Sequence, residues 1–419
     1  MTSSAVTNVW NGASGTDTNW STAGNWVGGV AIANGDDAKF TDAGTNSPGI
    51  IDNVVNASIA IGSLQFGGSN GVHTTLIAPG QTLSLTNTGG LYVFTPADLL
   101  AARNITNTIT GAGGTLSVSN SAAIISINQG NTVSGNNRAN LNLTGLDIFS
   151  ATASRLGLGS TVFPNAIAQR LGGQLLLAKT NFITLTYSDT LANYQTAGKT
   201  NAIEFSRNPG NNPGTVSMLL LGQTNVIYLD SISCGLDKSG NNSTAASGLV
   251  AFNPAFTNNN PVAYFRGKNG GATDRVTWWS IGDGNSSSSS SNGGRGTNDF
   301  SNGTVDLMVN VLSLGRECDA ANTAWAGPHS GVLTFTAGTI DVNTVYAGNE
   351  AFASRTTSTP GCAGTINVNG AGALLKVNTS LVLGRTTGTS VTAVRSSGRS
   401  AEPMSPEAPV TAIRIRARL

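Results

Sequence analysis

Gly303-Thr304-Val305-Asp306-Leu307 and Leu312-Ser313-Leu314-Gly315 are two short runs of alternating apolar and polar residues, separated only by Met308-Val309-Asn310-Val311. Strict alternation over four to eight residues is the mark of a half-buried strand, and no window here carries the 3.6-residue spacing of a helix. Both runs recur. The second returns as Trp279-Ser280-Ile281-Gly282, Val345-Tyr346-Ala347-Gly348 and Leu381-Val382-Leu383-Gly384, with the glycines 33, 33 and 36 residues apart. The first returns as Gly338-Thr339-Ile340-Asp341-Val342 and Gly364-Thr365-Ile366-Asn367-Val368. A unit of about 35 residues with two or three short strands cannot bury its apolar side chains alone, so copies must stack. The expectation is an all-β chain: a parallel β-solenoid, or β-helix, of strands about four to six residues long, with Gly-rich corners and variable loops. Val, Leu and Ile would face inward, and Thr, Ser, Asn and Asp outward. An array of β-sandwiches is the alternative; it predicts alternation but not two interleaved glycine signatures.

Composition agrees with stacking. Of 419 residues only 10% are charged, against about 25% in an ordinary soluble chain. Neutral side chains can ladder down a stack without like-charge repulsion. The 39% hydrophobic content supplies a core. The balance of 22 Lys and Arg against 21 Asp and Glu leaves no basic surplus for phosphate, so nucleic acid is not an expected partner. Two histidines and three cysteines are too few for a zinc ribbon or a multi-His centre, and neither a metal nor a cofactor is expected. No run reaches the roughly 18 apolar residues of a membrane-spanning helix. Helix-like stretches are confined to Pro96 to Arg103 and Ala166 to Arg170.

The chain divides into a Trp-rich cap over residues 1–50, solenoid repeats over 51–389 (clearest over 275–385), and an irregular tail over 390–419. The cap holds Trp10, Trp20 and Trp26, half of all the tryptophans in the chain. In the tail the Gly-Thr-Asn texture stops, and Arg395, Arg399, Arg414, Arg416 and Arg418 stand among Ser, Pro and Ala. That change of composition in mid-repeat is what a shift of reading frame produces, and is favoured over a natural basic tail. Met1 to Thr7 has neither the basic start nor the apolar run of a secretory signal. The composition nonetheless favours an exported chain whose sequence begins after its signal.

Trp10-x-Gly12, Asn19-Trp20, Asn25-Trp26 and Asp36-Asp37-x-x-Phe40, followed by the Gly-Thr-apolar units, resemble the autotransporter-associated β-strand repeat proteins, large bacterial surface or secreted proteins. The resemblance runs over residues 9 to 385. It implies export and a β-solenoid passenger; the membrane barrel or sorting anchor of that family has no counterpart here.

Candidate chemistry is sparse. Ala197-Gly198-Lys199-Thr200 ends like a phosphate loop, but Asn193 occupies the place of the loop's first glycine. Asp306 and Asp341 recur by repetition, which suits solvated ladder positions better than a glycosidase pair. Asp283-Gly284-Asn285 lacks the acidic spacing of a calcium loop. The densest charged group is Arg266, Lys268, Asp274 and Arg275 around Phe265, a candidate site for an anionic glycan. Trp20, Trp278 and Trp279 are candidates for stacking on sugar rings, with burial the favoured reading. Cys318 and Cys362 lie in neighbouring insertions and could form a disulfide in an oxidising compartment, while Cys234 follows a strand pattern into the core. The expected function is that of an exported bacterial structural or adhesive surface protein, a stalk without a catalytic site. A polysaccharide-binding or polysaccharide-cleaving β-helix is the runner-up, and glycans, a cell-surface polymer or further copies of the chain are the expected partners.

Overall fold

The computed structural model describes residues 5–68, 70–94, 104–129, 138–160, 172–196, 200–206, 216–236, 248–284, 294–317, 329–350, 362–385 and 412–418. Their strands join in one sheet of 25, parallel throughout except for the last pairing. Each coil contributes three strands, and each strand pairs with its counterpart one coil on. The architecture is a parallel β-solenoid.

Three faces result. The first face runs from Asn53–Val55 through Gly173–Leu176 and Gly248–Phe252 to the start of Ala363–Arg385. The second includes Leu146–Ala153, Thr180–Leu185, Thr224–Tyr228 and Val262–Arg266. The third includes Arg155–Leu158, Ser231–Leu236, Val276–Gly284 and the last part of Thr304–Glu317. Inward side chains stand in columns: Leu64, Leu91, Ile125, Leu156, Ile203 and Ile232 follow one another in register on the third face, all buried. Each such side chain contributes about 1.5–3 kcal/mol on burial.

The glycine signature marks the end of this third face. Gly282, Gly315, Gly348 and Gly384 have φ of +71°, +61°, +71° and +70°, a left-handed conformation that costs other residues about 1–2 kcal/mol. Their neighbours pair rung by rung, Ile281 with Leu314, Leu314 with Ala347 and Ala347 with Leu383. A Cβ on Gly315 would also collide with the carbonyl oxygen of Ala363.

The second signature behaves differently. Asp306 pairs with Thr339, not with Asp341, and Gly364 pairs with Gly331 on the first face. An alternating pentapeptide looks the same on any face, so its recurrence does not fix its place. Strand length also differs from the expectation. Ser330–Glu350 and Ala363–Arg385 run for 21 and 23 residues, because pairing continues through their corners. Nor do polar residues all face outward. Asn181 and Asn225 are buried at the corner leading into the second face, where Asn181 Nδ2 donates to Asn225 Oδ1 at 3.0 Å and Asn225 Nδ2 donates to the carbonyls of Gly222 and Val262, each at 2.9 Å. Corner carbonyls without a ladder partner need a donor, and an inward amide provides it.

The amino-terminal end is closed by aromatic rings. Trp26 bridges antiparallel to Trp10, their rings lie 5.1 Å apart edge to face, and Trp20 meets Trp26 at 5.5 Å. The expected helices at 96–103 and 166–170 lie outside the described residues. Among the described residues Leu191–Tyr194 forms a short α-helix. Among the described residues no helix is long and apolar enough to cross a membrane.

Gly80 and Gly315 separate two costs of a side chain. Gly80 has φ +74° with open space around its Cβ direction, whereas Gly315 has strain and a backbone collision together. Gly80→Ala is expected to lower unfolding free energy by about 1 kcal/mol, and Gly315→Ala by about 3 kcal/mol or more. Equal losses in denaturant titrations would disprove the corner assignment.

Candidate functional site

Trp278 and Trp279 are adjacent in Val276–Gly284, so strand alternation sends their rings to opposite sides of the sheet. Trp279 enters the coil, edge-on to Phe265 at 5.1 Å, and its Nε1 donates to Asn298 Oδ1 at 2.7 Å. Trp278 points away from the coil interior yet is fully buried. A strap of residues 186–196 lies over this outer surface and carries the helix Leu191–Tyr194, capped at Thr190, whose hydroxyl accepts from the amide of Asn193. Trp278, Tyr194 and Val311 pack beneath it with Tyr187, Leu191 and Tyr346.

Arg316 ties the strap down. Its guanidinium donates to the carbonyl oxygens of Tyr194, at 3.1 Å, and of Gln195, at the end of the helix where carbonyls lack intrahelical partners. It also pairs with Asp283 at 3.3 Å and sits 4.8 Å from the ring centre of Trp278. The side chains of Asp283 and Arg316 are 0% and 1% exposed. The side chain of the same Tyr194 makes a second tie: its Oη donates to Asp230 Oδ2 at 2.7 Å, and burial, reinforced by Asp230, raises the phenol's pKa well above its ordinary value. Buried Glu204 accepts from Ser160 Oγ at 2.6 Å and from the amide of Asn201 at 2.8 Å.

The charged group around Phe265 lies on the connection from Val262–Arg266 to Val276–Gly284, but its members do not converge on a common cavity. Arg266 is buried, stacks on Tyr264 at 3.8 Å and makes a two-pronged bond to Asp306 at 2.9 and 3.0 Å. Lys268 donates to Ser188 of the strap, and Asp274 accepts from the amide of Asn269 at 3.0 Å within the turn. Arg275 donates to Asp341 at 2.6 Å, and Lys376 reaches the same carboxylate at 2.9 Å. Burial raises the pKa of Asp341, but bonds from Lys376, Arg275 and Asn378 outweigh it and hold the carboxyl at about 2. Asp341 is therefore a largely enclosed tie between coils rather than a solvated ladder residue. The three carboxylates Asp283, Asp306 and Asp341 are all engaged with cations, an arrangement that braces coils.

Of the two readings of Trp20, Trp278 and Trp279, the structure gives burial, and their candidacy for stacking on sugar rings falls. Trp20 is 2% exposed in the amino-terminal cap, with its Nε1 donating to Asn53 Oδ1 at 2.8 Å. One set of exposed apolar residues lies on the second face: Ile148, Phe182 and Val262, with half-buried Val226 and Tyr264 in the Phe182 column. Alternation in Thr180–Leu185 sets Phe182 on the opposite side from Ile183 and Leu185 without saying which of the two faces in. Cys318 lies outside the described residues, and of the expected disulfide pair only Cys362, buried beside the first face, has a place in the fold. Cys234 packs in the core, where burial pushes its thiol up to about 12. The phosphate-loop lookalike at 197–199 and the serine run at 286–291 also lie outside the described residues.

The chain matches no family model, no curated protein and no solved structure.

Arg316→Met leaves Asp283 buried without its cation and is expected to cost about 3–5 kcal/mol, with the double change Asp283→Asn, Arg316→Met recovering part of the loss. Denaturant melts of the three variants check this, and a single variant as stable as the wild type would disprove the tie. His329 gives a pH test. Burial, then Arg295 and Arg316, lower its pKa to about 4, and its Nδ1 accepts from the amide of Gly294 at 2.9 Å. An unfolded histidine binds its proton near pH 6.5, so its contribution to stability is complete above that value and declines as pH falls toward 4. His329→Gln is expected to flatten the stability profile in that window; an unchanged slope would exclude a buried neutral His329.

Proposed function

We propose that the chain is an exported structural protein of the bacterial surface, of the kind that the autotransporter-associated resemblance implies, in which a stiff solenoid holds adhesive loops along one edge. One observation carries this reading. The connections from the end of the third face to the start of the first, from Phe66–Thr74 to Glu350–Ala363, all leave and re-enter at the same corner. Several are rich in neutral polar residues by sequence, such as Arg207-Asn208-Pro209-Gly210-Asn211-Asn212 and the six serines from Ser286. A rod stabilised by ladder hydrogen bonds and an apolar interior needs no loops there, so a row of them along one edge suits contact with glycans or a cell-surface polymer.

The runner-up is a polysaccharide-binding solenoid. The exposed strip on the second face favours it: Phe182, Val262 and Ile148, 49%, 42% and 37% exposed, stand among Thr and Ser hydroxyls on a flat sheet, a surface to which the C–H face of a sugar ring can adhere.

A glycan array probed with three proteins separates the two. Under the first reading, replacing 208–214 and 286–291 with Gly-Ser sequences of equal length abolishes binding, and Phe182→Ser with Tyr264→Ser leaves it intact. Under the runner-up the pattern is reversed. Circular dichroism on each variant establishes that the β fold is kept, and a folded wild type that binds no glycan would defeat the runner-up and leave the structural stalk.

A further inference from the structure

The exposed strip on the second face has a direction and a period. Phe182, Val226 and Tyr264 stand outward in one column across Thr180–Leu185, Thr224–Tyr228 and Val262–Arg266, each in register with the next. Neighbouring members are one strand spacing apart, about 4.8 Å, which sets Phe182 about 9.6 Å from Tyr264 along the stack. Thr180 and Thr224 flank this column on one side, Thr184 and Tyr228 on the other. Among the described residues the hydroxyls of Thr180, Thr184 and Thr224 have no hydrogen-bond partner. The Tyr264 ring is held in place: the Arg266 guanidinium lies 3.8 Å from its centre, and Tyr228 meets it edge to face at 6.4 Å. The charges bordering the strip are engaged with one another, Arg266 with Asp306 and Lys179 with Asp147.

We propose that this strip binds a neutral, linear polysaccharide of β-linked, all-equatorial sugars, laid along the stack with one sugar over each coil. The inference rests on the runner-up reading of the same strip and names the polymer that fits it. An extended β-linked chain advances per sugar by nearly the distance between coils, so its repeat and that of the protein stay in step over three coils. An all-equatorial pyranose carries C–H groups on both faces. Each sugar, although turned over relative to the one before it, therefore still lays an apolar face on Phe182, Val226 or Tyr264. Its equatorial hydroxyls then point sideways, toward Thr180 and Thr224 along one edge and Thr184 along the other, where donors and acceptors are free to meet them. An α-linked chain coils away from a flat sheet after a sugar or two. A polyanion finds the bordering Arg266 and Lys179 already paired, so the polymer is neutral, unlike the anionic glycan that the charge cluster around Phe265 suggests in the sequence.

Titration calorimetry of the purified full chain with cellohexaose, maltohexaose and hexagalacturonate tests the proposal. Cellohexaose is expected to bind at least about tenfold more tightly than the other two, with an affinity that added salt leaves unchanged. Phe182→Ala with Tyr264→Ala, its fold verified by circular dichroism, is expected to weaken cellohexaose binding by at least about tenfold. Should that variant fail to fold, hydroxyl-radical footprinting of the wild type serves instead: cellohexaose protects Phe182 and Tyr264 from oxidation and maltohexaose does not. Maltohexaose or hexagalacturonate bound on the strip as tightly as cellohexaose would overturn the polymer assignment and leave the runner-up reading standing. Should none of the three bind, the proposal falls, and the glycan array decides whether the runner-up falls with it. Cellohexaose binding that survives the two alanines, or that leaves both rings unprotected, puts the site elsewhere and overturns the proposal.

Discussion

A strand in a parallel stack donates and accepts along both edges, so each coil holds its shape only while the coils before and after it keep register. Each corner must return the chain to within one strand spacing, about 4.8 Å, of the coil below. The left-handed glycines at 282, 315, 348 and 384 meet this demand at the end of the third face, and at Gly282 and Gly315 the carbonyls of Ser330 and Ala363 approach too closely for a Cβ. Loop length is free at that corner because only the exit and the return are constrained. Gly235, one coil before Gly282, also has a left-handed φ, +77°, although the segment between them is longer than the usual repeat.

The same constraint explains the polar groups inside. Corners interrupt the ladder, and the carbonyls and amides freed there are too deep for water. Asn181, Asn225 and Asn128 supply amides to them, Asn128 by donating to the carbonyl of Ser160 and accepting from its amide at 2.7 and 2.8 Å. The strap is an elaboration of this theme on the outer surface. Once Leu191–Tyr194 covers Trp278, its terminal carbonyls need a donor, and Arg316 provides it only because Asp283 offsets the buried charge.

How much of this was legible follows from which residues have only one possible place. The Gly signature could be read because a left-handed corner tolerates few other residues, and the stacked fold followed from it. The Gly-Thr-apolar-polar signature misled about position, since Asp306 pairs with Thr339 and so stands out of step with Asp341. Alternation reports that one side of a strand is buried without reporting a face or a neighbour. The adjacent pair Trp278-Trp279 shows the limit: strand geometry splits the rings between inside and outside, but nothing near them in sequence announces that a segment several strands earlier, around Tyr194, covers the outer one. The charged group around Arg266 was visible as a cluster and invisible as a set of ties, because Asp306 and Asp341 are a coil or more away.

Those ties bear on the low charge of the whole chain. Lys179 with Asp147, Arg266 with Asp306, Arg275 and Lys376 with Asp341, and Arg316 with Asp283 each join one coil to another, so these ion pairs run along the stack and not within a coil. A charge without such a partner would stand about 4.8 Å from its equivalent in the next repeat, and repetition would multiply the repulsion. Neutral Thr, Ser and Asn avoid it, at the cost of the charged edges by which sheets ordinarily discourage association. A rod built this way has to close its ends with side chains instead. Tryptophans do so at the first coil, where Trp10, Trp20 and Trp26 pack against Phe40.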